Sequence, residues 1–180
     1  MNVVALVGMP GSGKSEVARV FHRHGFVTVR FGDITDEEVR KRGLKLDEEN
    51  ERQAREDLRK KHGMAAYAIL NLPRIEDALQ KSNVVIDGLY SWEEYKYLKD
   101  RLGGRLRIVA VWSSPDIRYA RLKGRAVRPL TADQAGSRDY AEIENVNKGG
   151  PIAMADYTIV NNGTLQTLVE QADKIVQVLK

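Results

Sequence analysis

The chain has 180 residues, 42% of them hydrophobic and 30% charged, the balance of a single globular domain large enough to bury a core without covalent staples. It contains no cysteine, which excludes a disulfide framework, a thiolate metal site and a cysteine nucleophile. Its 29 Lys and Arg against 25 Asp and Glu leave a formal charge of +4, a mild excess that suits a small anionic ligand and does not by itself argue for nucleic acid.

Val3 to Val7 is a short unbroken apolar run ending in turn residues, the pattern of a strand buried on both faces. Five residues are too few for a signal peptide or a membrane span, so a cytoplasmic location and no membrane partner are expected. A helix follows over about 13–24, with Val17, Ala18, Val20 and Phe21 as its apolar stripe and Gly25 placed to end it. Further strands are predicted at 27–31, 83–87, 107–112 and 157–160, with helices at about 63–80, 91–102, 115–124, 131–145 and 164–179. Strands alternating with helices imply a parallel sheet wrapped on both sides. In the stretch 36–62, 18 of 27 positions are Asp, Glu, Lys or Arg, which reads either as a solvated helical arm or as a flap over a ligand site. One domain is expected over 1–180, with a charged acceptor-side segment at about 34–80 and a lid at about 122–150.

Between the first strand and the first helix, Gly8-Met9-Pro10-Gly11-Ser12-Gly13-Lys14-Ser15 matches G-x-x-x-x-G-K-[ST] in full. Glycines let backbone N–H groups turn inward around phosphate oxygens. The helix start adds its positive dipole end, Lys14 reaches the β- and γ-phosphates, and the Ser15 hydroxyl is a ligand for Mg²⁺. The donor-binding set is therefore Gly8, Pro10, Gly11, Ser12, Gly13, Lys14, Ser15 and the adjoining Glu16, and the cofactors expected are ATP and Mg²⁺.

Asp87 closes the apolar run Val84-Val85-Ile86, which places a carboxylate at the carboxyl edge of a central strand, where ligands bind in open α/β sheets. There it can hold Mg²⁺ with Ser15 or position the acceptor. Asp33 occupies the same edge one strand over, as a catalytic carboxylate or as the N-cap of the segment beginning near Thr35. Ser113-Ser114-Pro115-Asp116 reads as a helix start with hydroxyl caps. Arg118, Arg121 and Arg125 follow at helical spacing and are expected to share a face, with Arg128 and Arg138 beyond. Such a segment can close over a migrating phosphoryl group and exclude water. His22 and His24 do not share a helix face and make a poor metal pair, and Trp92 and Trp112 read as packing residues. No basic stripe with interleaved aromatics is present, so nucleic acid is not expected as a partner.

The loop, Asp87-Gly88, Arg121-Leu122-x-x-Arg125 and the run from Ala155 to Thr164 together resemble the nucleoside monophosphate kinase-like P-loop kinases, in particular the archaeal-type dephospho-CoA kinase-like or adenylate kinase-related group. The resemblance implies an α/β P-loop NTPase fold of three layers, with a five-stranded parallel sheet, helices on both faces and an arginine-bearing lid. Together with the residues read above, the expected catalytic set is Lys14, Asp33, Asp87, Arg121, Arg125 and Arg138, and the resemblance lays Asn161, Gly163 and Thr164 against the adenine. The chain departs from the adenylate kinase pattern at both acceptor-phosphate arginines: Gly32-Asp33-Ile34-Thr35 is followed by Asp36, and Asp87-Gly88 by Leu89-Tyr90-Ser91. A phosphate monoester is already a nucleophile at neutral pH, whereas a hydroxyl gains from a general base. Asp33 without those arginines points to a hydroxyl on a small nucleotide or nucleotide-containing metabolite. The alternative is an ATP-binding switch or slow ATPase that acts through a protein partner.

Overall fold

The computed structural model of the protein describes residues 1–126 and 129–179. Strands β1 (Val3–Val7), β2 (Val27–Arg30), β3 (Val84–Asp87), β4 (Leu106–Trp112) and β5 (Tyr157–Val160) form one parallel sheet in the order β2-β3-β1-β4-β5. Every residue of β1 is buried, and its side chains alternate between two cores. Val3, Ala5 and Val7 face α4 (Ala66–Leu79) and α5 (Trp92–Leu102), whereas Val4 and Leu6 face α1 (Lys14–Arg23) and α9 (Leu165–Leu179). That double burial is why β1 reads as continuous rather than alternating hydrophobicity. The remaining helices, α2 (Asp33–Lys41), α3 (Glu48–His62), α6 (Pro115–Lys123), α7 (Ala132–Glu144) and the short α8 (Gly149–Ala153), gather beyond the carboxyl edge of the sheet or flank it. None of the described helices is long and apolar enough to cross a membrane.

The charged stretch 36–62 is two helices, α2 and α3, rather than one arm. Val39 of α2 and Ala54 and Leu58 of α3 are buried, while charges outside pair along and between the helices, as in Arg42 with Glu38 and Asp57. Asp47 starts α3 by accepting from the Asn50 N–H at 3.0 Å, an N-cap hidden among so many acids. The helix expected from residue 63 begins at Ala66 and continues through Pro73. The α8 turn and a 3₁₀ turn at Gly103–Arg105 were not expected. Ser114 is the N-cap of α6, but its hydroxyl makes no cap bond and Pro115 alone sets the first turn. Trp92 stacks on Tyr95 at 5.0 Å between centroids. Trp112, by contrast, is 46% exposed and is not a packing residue.

Helix α5 opens with a capping box in which Ser91 and Glu94 satisfy each other's backbone. Glu94 is fully buried and also accepts from the Tyr90 N–H at 2.8 Å. Burial pushes its carboxyl up to about 7, against the pull of that N–H and of Arg59. Since the folded value lies above the unfolded one, folding takes up a proton here, and the associated stability is lost as pH rises through about 7. Wild-type chain is expected to lose roughly 2 kcal/mol between pH 5 and 7, and Glu94→Gln to flatten that slope in denaturant unfolding. An unaltered slope in the variant would show that Glu94 folds ionised.

Candidate active site

The chain leaves β1 at the point where strand order diverges, toward β3 on one side and β4 on the other, and that switch point opens a crevice at the carboxyl edge. At its glycines the turn from Gly8 to Gly13 is packed so closely that a side chain would not fit. Gly8 has φ +148°, and a Cβ there would lie 2.3 Å from the Val111 carbonyl oxygen. Gly13, the N-cap of α1, has φ +101°, and its Cβ would meet Asn161 Nδ2 at 2.4 Å. The glycines therefore press the loop backbone against the ends of β4 and β5, and the amides of the first turn of α1 face the crevice without a side-chain cap. Ser12 Oγ is buried and makes no hydrogen bond among the described residues.

Lys14 arches back over the loop, donating from Nζ to the carbonyls of Gly8 (2.8 Å) and Met9 (3.1 Å). Loss of hydration, followed by the positive charge of Lys148, lowers its ammonium to about 7 against the attraction of Glu142 and Asp87. Beside it, the Ser15 hydroxyl donates to Asp87 Oδ2 at 3.1 Å. A hydroxyl and a carboxylate so placed are hard oxygen donors suited to Mg²⁺, which keeps waters and phosphate oxygens as its other ligands. No cluster of three or more His, Asp or Glu able to hold a metal alone occurs among the described residues. The glycine cradle, the orphaned Ser12 hydroxyl and the Ser15–Asp87 pair fit a magnesium nucleotide. An open cleft of about 700 Å³ runs from Ser15 and Asp87 along α1 and β2.

Beyond β2, Asp33 is the first residue of α2, with Gly32 as N-cap, so the capping role does not hold. Its carboxylate accepts from Arg30 Nη1 at 2.7 Å, and Asp36 accepts from the same nitrogen at 2.9 Å. Burial works against the Arg30 guanidinium, but the two carboxylates hold it above its ordinary value. Arg74 donates to Glu37 at 2.6 Å, and Arg40 is exposed. Tyr90 lies over Gly88 and packs edge-on against Tyr67.

The arginines after β4 do not form a common positive face. Arg118 is buried: it donates to both oxygens of Asp139 (3.0 and 2.6 Å), to the Pro10 carbonyl (3.2 Å) and to the Ser113 carbonyl (3.2 Å). Arg121 turns to the loop and the end of β5, donating to the Asn161 carbonyl at 3.0 Å and to Ser113 Oγ at 3.1 Å. Arg125 lies past the end of α6 and is exposed; burial of part of its side chain and the charge of Arg138 lower its pKa. Arg128 lies outside the described residues. Arg138, on α7, donates to Glu142 at 3.1 Å, and Lys148 also donates to Glu142.

Asn161 is buried and donates from Nδ2 to the Ser12 carbonyl at 2.8 Å, so it ties β5 to the loop. Gly163 is open to solvent, and Thr164 Oγ1 accepts from the Thr167 N–H at the start of α9. The carboxylate of Glu16 is paired outward with Arg19, which leaves only its backbone to the loop. The sequence reading passed over Asp139, Glu142, Lys148 and Tyr90. The Arg138/Glu142 spacing of four was a usable signal, whereas Arg118 and Asp139 are 21 residues apart and carry none. Arg118→Met leaves Asp139 buried without its partner and is expected to cost about 3 kcal/mol in chemical unfolding, with Arg118→Met/Asp139→Leu recovering most of it. A loss below about 1 kcal/mol in the single variant would show that solvent reaches the pair.

Residues 4–145 match a family model described as an AAA domain. The chain is 39% identical over 178 residues to the UPF0200 protein TK1334 of Thermococcus kodakarensis, covering 97% of this chain and 96% of the relative. Among solved structures it is similar to a gluconokinase from Sinorhizobium meliloti (15% identity, TM-score 0.62, 99% of this chain and 93% of that one). It is also similar to the shikimate kinase of Bacteroides thetaiotaomicron (12% identity, TM-score 0.63, 99% and 98%). These likenesses show the P-loop kinase fold.

Proposed function

The chain belongs to the UPF0200 family, and from its fold and site we propose that it is a Mg²⁺- and ATP-dependent kinase of a small metabolite, with a hydroxyl as acceptor. The observation that carries this reading is the Ser15–Asp87 pair beside Lys14, set against a glycine cradle at the switch point of the sheet. ATP with Mg²⁺ supplies an activated phosphoryl group and neutralises part of its charge. The chain's own part is to bind and position. Loop amides and Lys14 hold the phosphates, Ser15 and Asp87 hold the metal, and Arg121 fixes the loop against β5. Arg125 and Arg138 bring positive charge from the lid, and Gly163 and Thr164 border the base.

Asp33 stands at the acceptor edge to take the hydroxyl proton during attack, and Arg30 fixes its carboxylate in place. One observation favours a hydroxyl over a phosphate monoester. Arg30 already serves two carboxylates and Arg74 serves another, so neither is a free anchor for a phosphate dianion. The gluconokinase and shikimate kinase likenesses add support for a small-molecule acceptor. A nucleotide-containing hydroxyl compound of the dephospho-CoA type fits the same chemistry.

The test is ADP release from Mg²⁺-ATP across nucleosides, nucleoside monophosphates, dephospho-CoA, gluconate and shikimate. One acceptor should stimulate release strongly, Lys14→Ala should abolish it, and Asp33→Asn should slow it about 10²- to 10⁴-fold with the ATP KM little changed. Tight ATP binding with no stimulation by any acceptor would favour a nucleotide switch instead. Because Lys14 sits near 7 and must be protonated to hold phosphate, ATP binding at pH 8 should take up close to one proton. The uptake is readable by calorimetry in two buffers, and affinity should fall up to about tenfold per pH unit above 7.

A further inference from the structure

The lid contains a cluster of charges in which this reading uses Arg138 and leaves Glu142 and Lys148 without a purpose. Glu142, on the last turn of α7, accepts from Arg138 Nε at 3.1 Å and from Lys148 Nζ. Lys148 is only 2% exposed, and its backbone N–H is bonded to the Glu142 carbonyl at 3.2 Å. Its ammonium stands 5.3 Å from the centre of the Tyr90 ring, which itself covers Gly88 beside Asp87. The charges of Lys14, Arg138 and Lys148 therefore all act on one carboxylate at the mouth of the phosphate loop, and together they hold Glu142 down to about 2 although burial opposes its ionisation.

A lid needs no buried lysine for its own stability, since a desolvated ion pair roughly breaks even against apolar packing. Three cations placed around one group of anionic oxygens are, however, what a terminal phosphate requires. The carboxylate and a phosphate would compete for the same donors. We propose that Lys148 is a second phosphate-binding lysine of this site and that Glu142 is its displaceable counter-ion, exchanged for an oxygen of the terminal phosphate when ATP binds. The proposal rests on the kinase reading above and extends it: the exchange lets the chain tell ATP from ADP, because only ATP reaches the Lys148–Glu142 pair.

Calorimetric titration of the full chain with Mg²⁺-ATP and Mg²⁺-ADP reads this as a ratio of affinities. Lys148→Met should reduce the preference for ATP about tenfold or more, Lys148→Arg should keep most of it, and Glu142→Gln should raise it about tenfold. ADP affinity should change less than about threefold in each. Equal losses for both nucleotides, or an unchanged ratio, would overturn the proposal and leave the pair a structural one. Should Glu142→Gln not fold, a crystal structure of the wild-type chain with Mg²⁺ and a non-hydrolysable ATP analogue decides the question. Lys148 Nζ on a terminal phosphate oxygen with Glu142 turned away supports the exchange, and Lys148 still on Glu142 refutes it. If the wild-type chain binds neither nucleotide, the kinase reading fails and the proposal fails with it.

Discussion

The buried guanidinium of Arg118 holds three separate parts of the molecule in one geometry. Its nitrogens reach the phosphate loop at Pro10, the residue after β4 at Ser113 and α7 at Asp139. A planar fork with rigidly directed donors can do this where a lysine, a flexible point charge, could not. Tyr119 adds a further hydrogen bond to Asp139 at 3.0 Å. Such a buried pair adds little net stability against an apolar substitute; its consequence is geometric. The loop and α7 are thereby built on one frame.

The site built on that frame is electrostatically lopsided. Around the loop Lys14, Arg138 and Lys148 share Glu142, Asp87 acts on Lys14 as well, and positive charge is in excess. On the acceptor side Arg30 is matched by Asp33 and Asp36, and Arg74 by Glu37, so carboxylates equal or outnumber the cations they touch. A phosphate dianion is drawn to the first side and gains little on the second. A neutral hydroxyl pays no such penalty, and a carboxylate next to it is useful rather than repulsive. On the kinase reading, that asymmetry orders the two substrates.

Legibility in the sequence followed the range of the interactions. The strand Val3–Val7, the loop and the helix behind it are local patterns, and the structure has them where composition and spacing put them. Asp87 was legible because a carboxylate ending an apolar strand is a local signal too, and its pairing with Ser15 across 72 residues followed from the fold. The arginines misled for the opposite reason. Helical spacing put Arg118, Arg121 and Arg125 on one positive face, but the first is neutralised by Asp139, the second bonds to Asn161 and the third lies beyond the helix end. A charge's partner is a tertiary fact, and Asp139, Glu142 and Lys148 look like ordinary surface residues until α7 is packed against α6 and the loop. The run 36–62 hid its helices because Val39, Ala54 and Leu58 are sparse apolar positions among many charges, enough to anchor an inner face and too few to stand out.

That anchoring bears on which side of the site can move. Helix α3 has an acidic first turn, Glu48, Glu49 and Glu51, and a basic last turn, Arg59 to His62, both matched to its dipole. The Glu48 charge acts on Arg138 of α7, whereas Arg59 at the other end lies 5.4 Å from the centre of the Tyr67 ring. Tyr67 is in turn hydrogen-bonded to Thr35 of α2 at 2.6 Å. Swinging α2 and α3 away would therefore break a buried hydroxyl pair and expose Leu58 and Ala54 together. Between these helices and α7 acts the attraction of Glu48 for Arg138, which salt screens. Helices α2 and α3 are thus suited to be a fixed wall of the crevice.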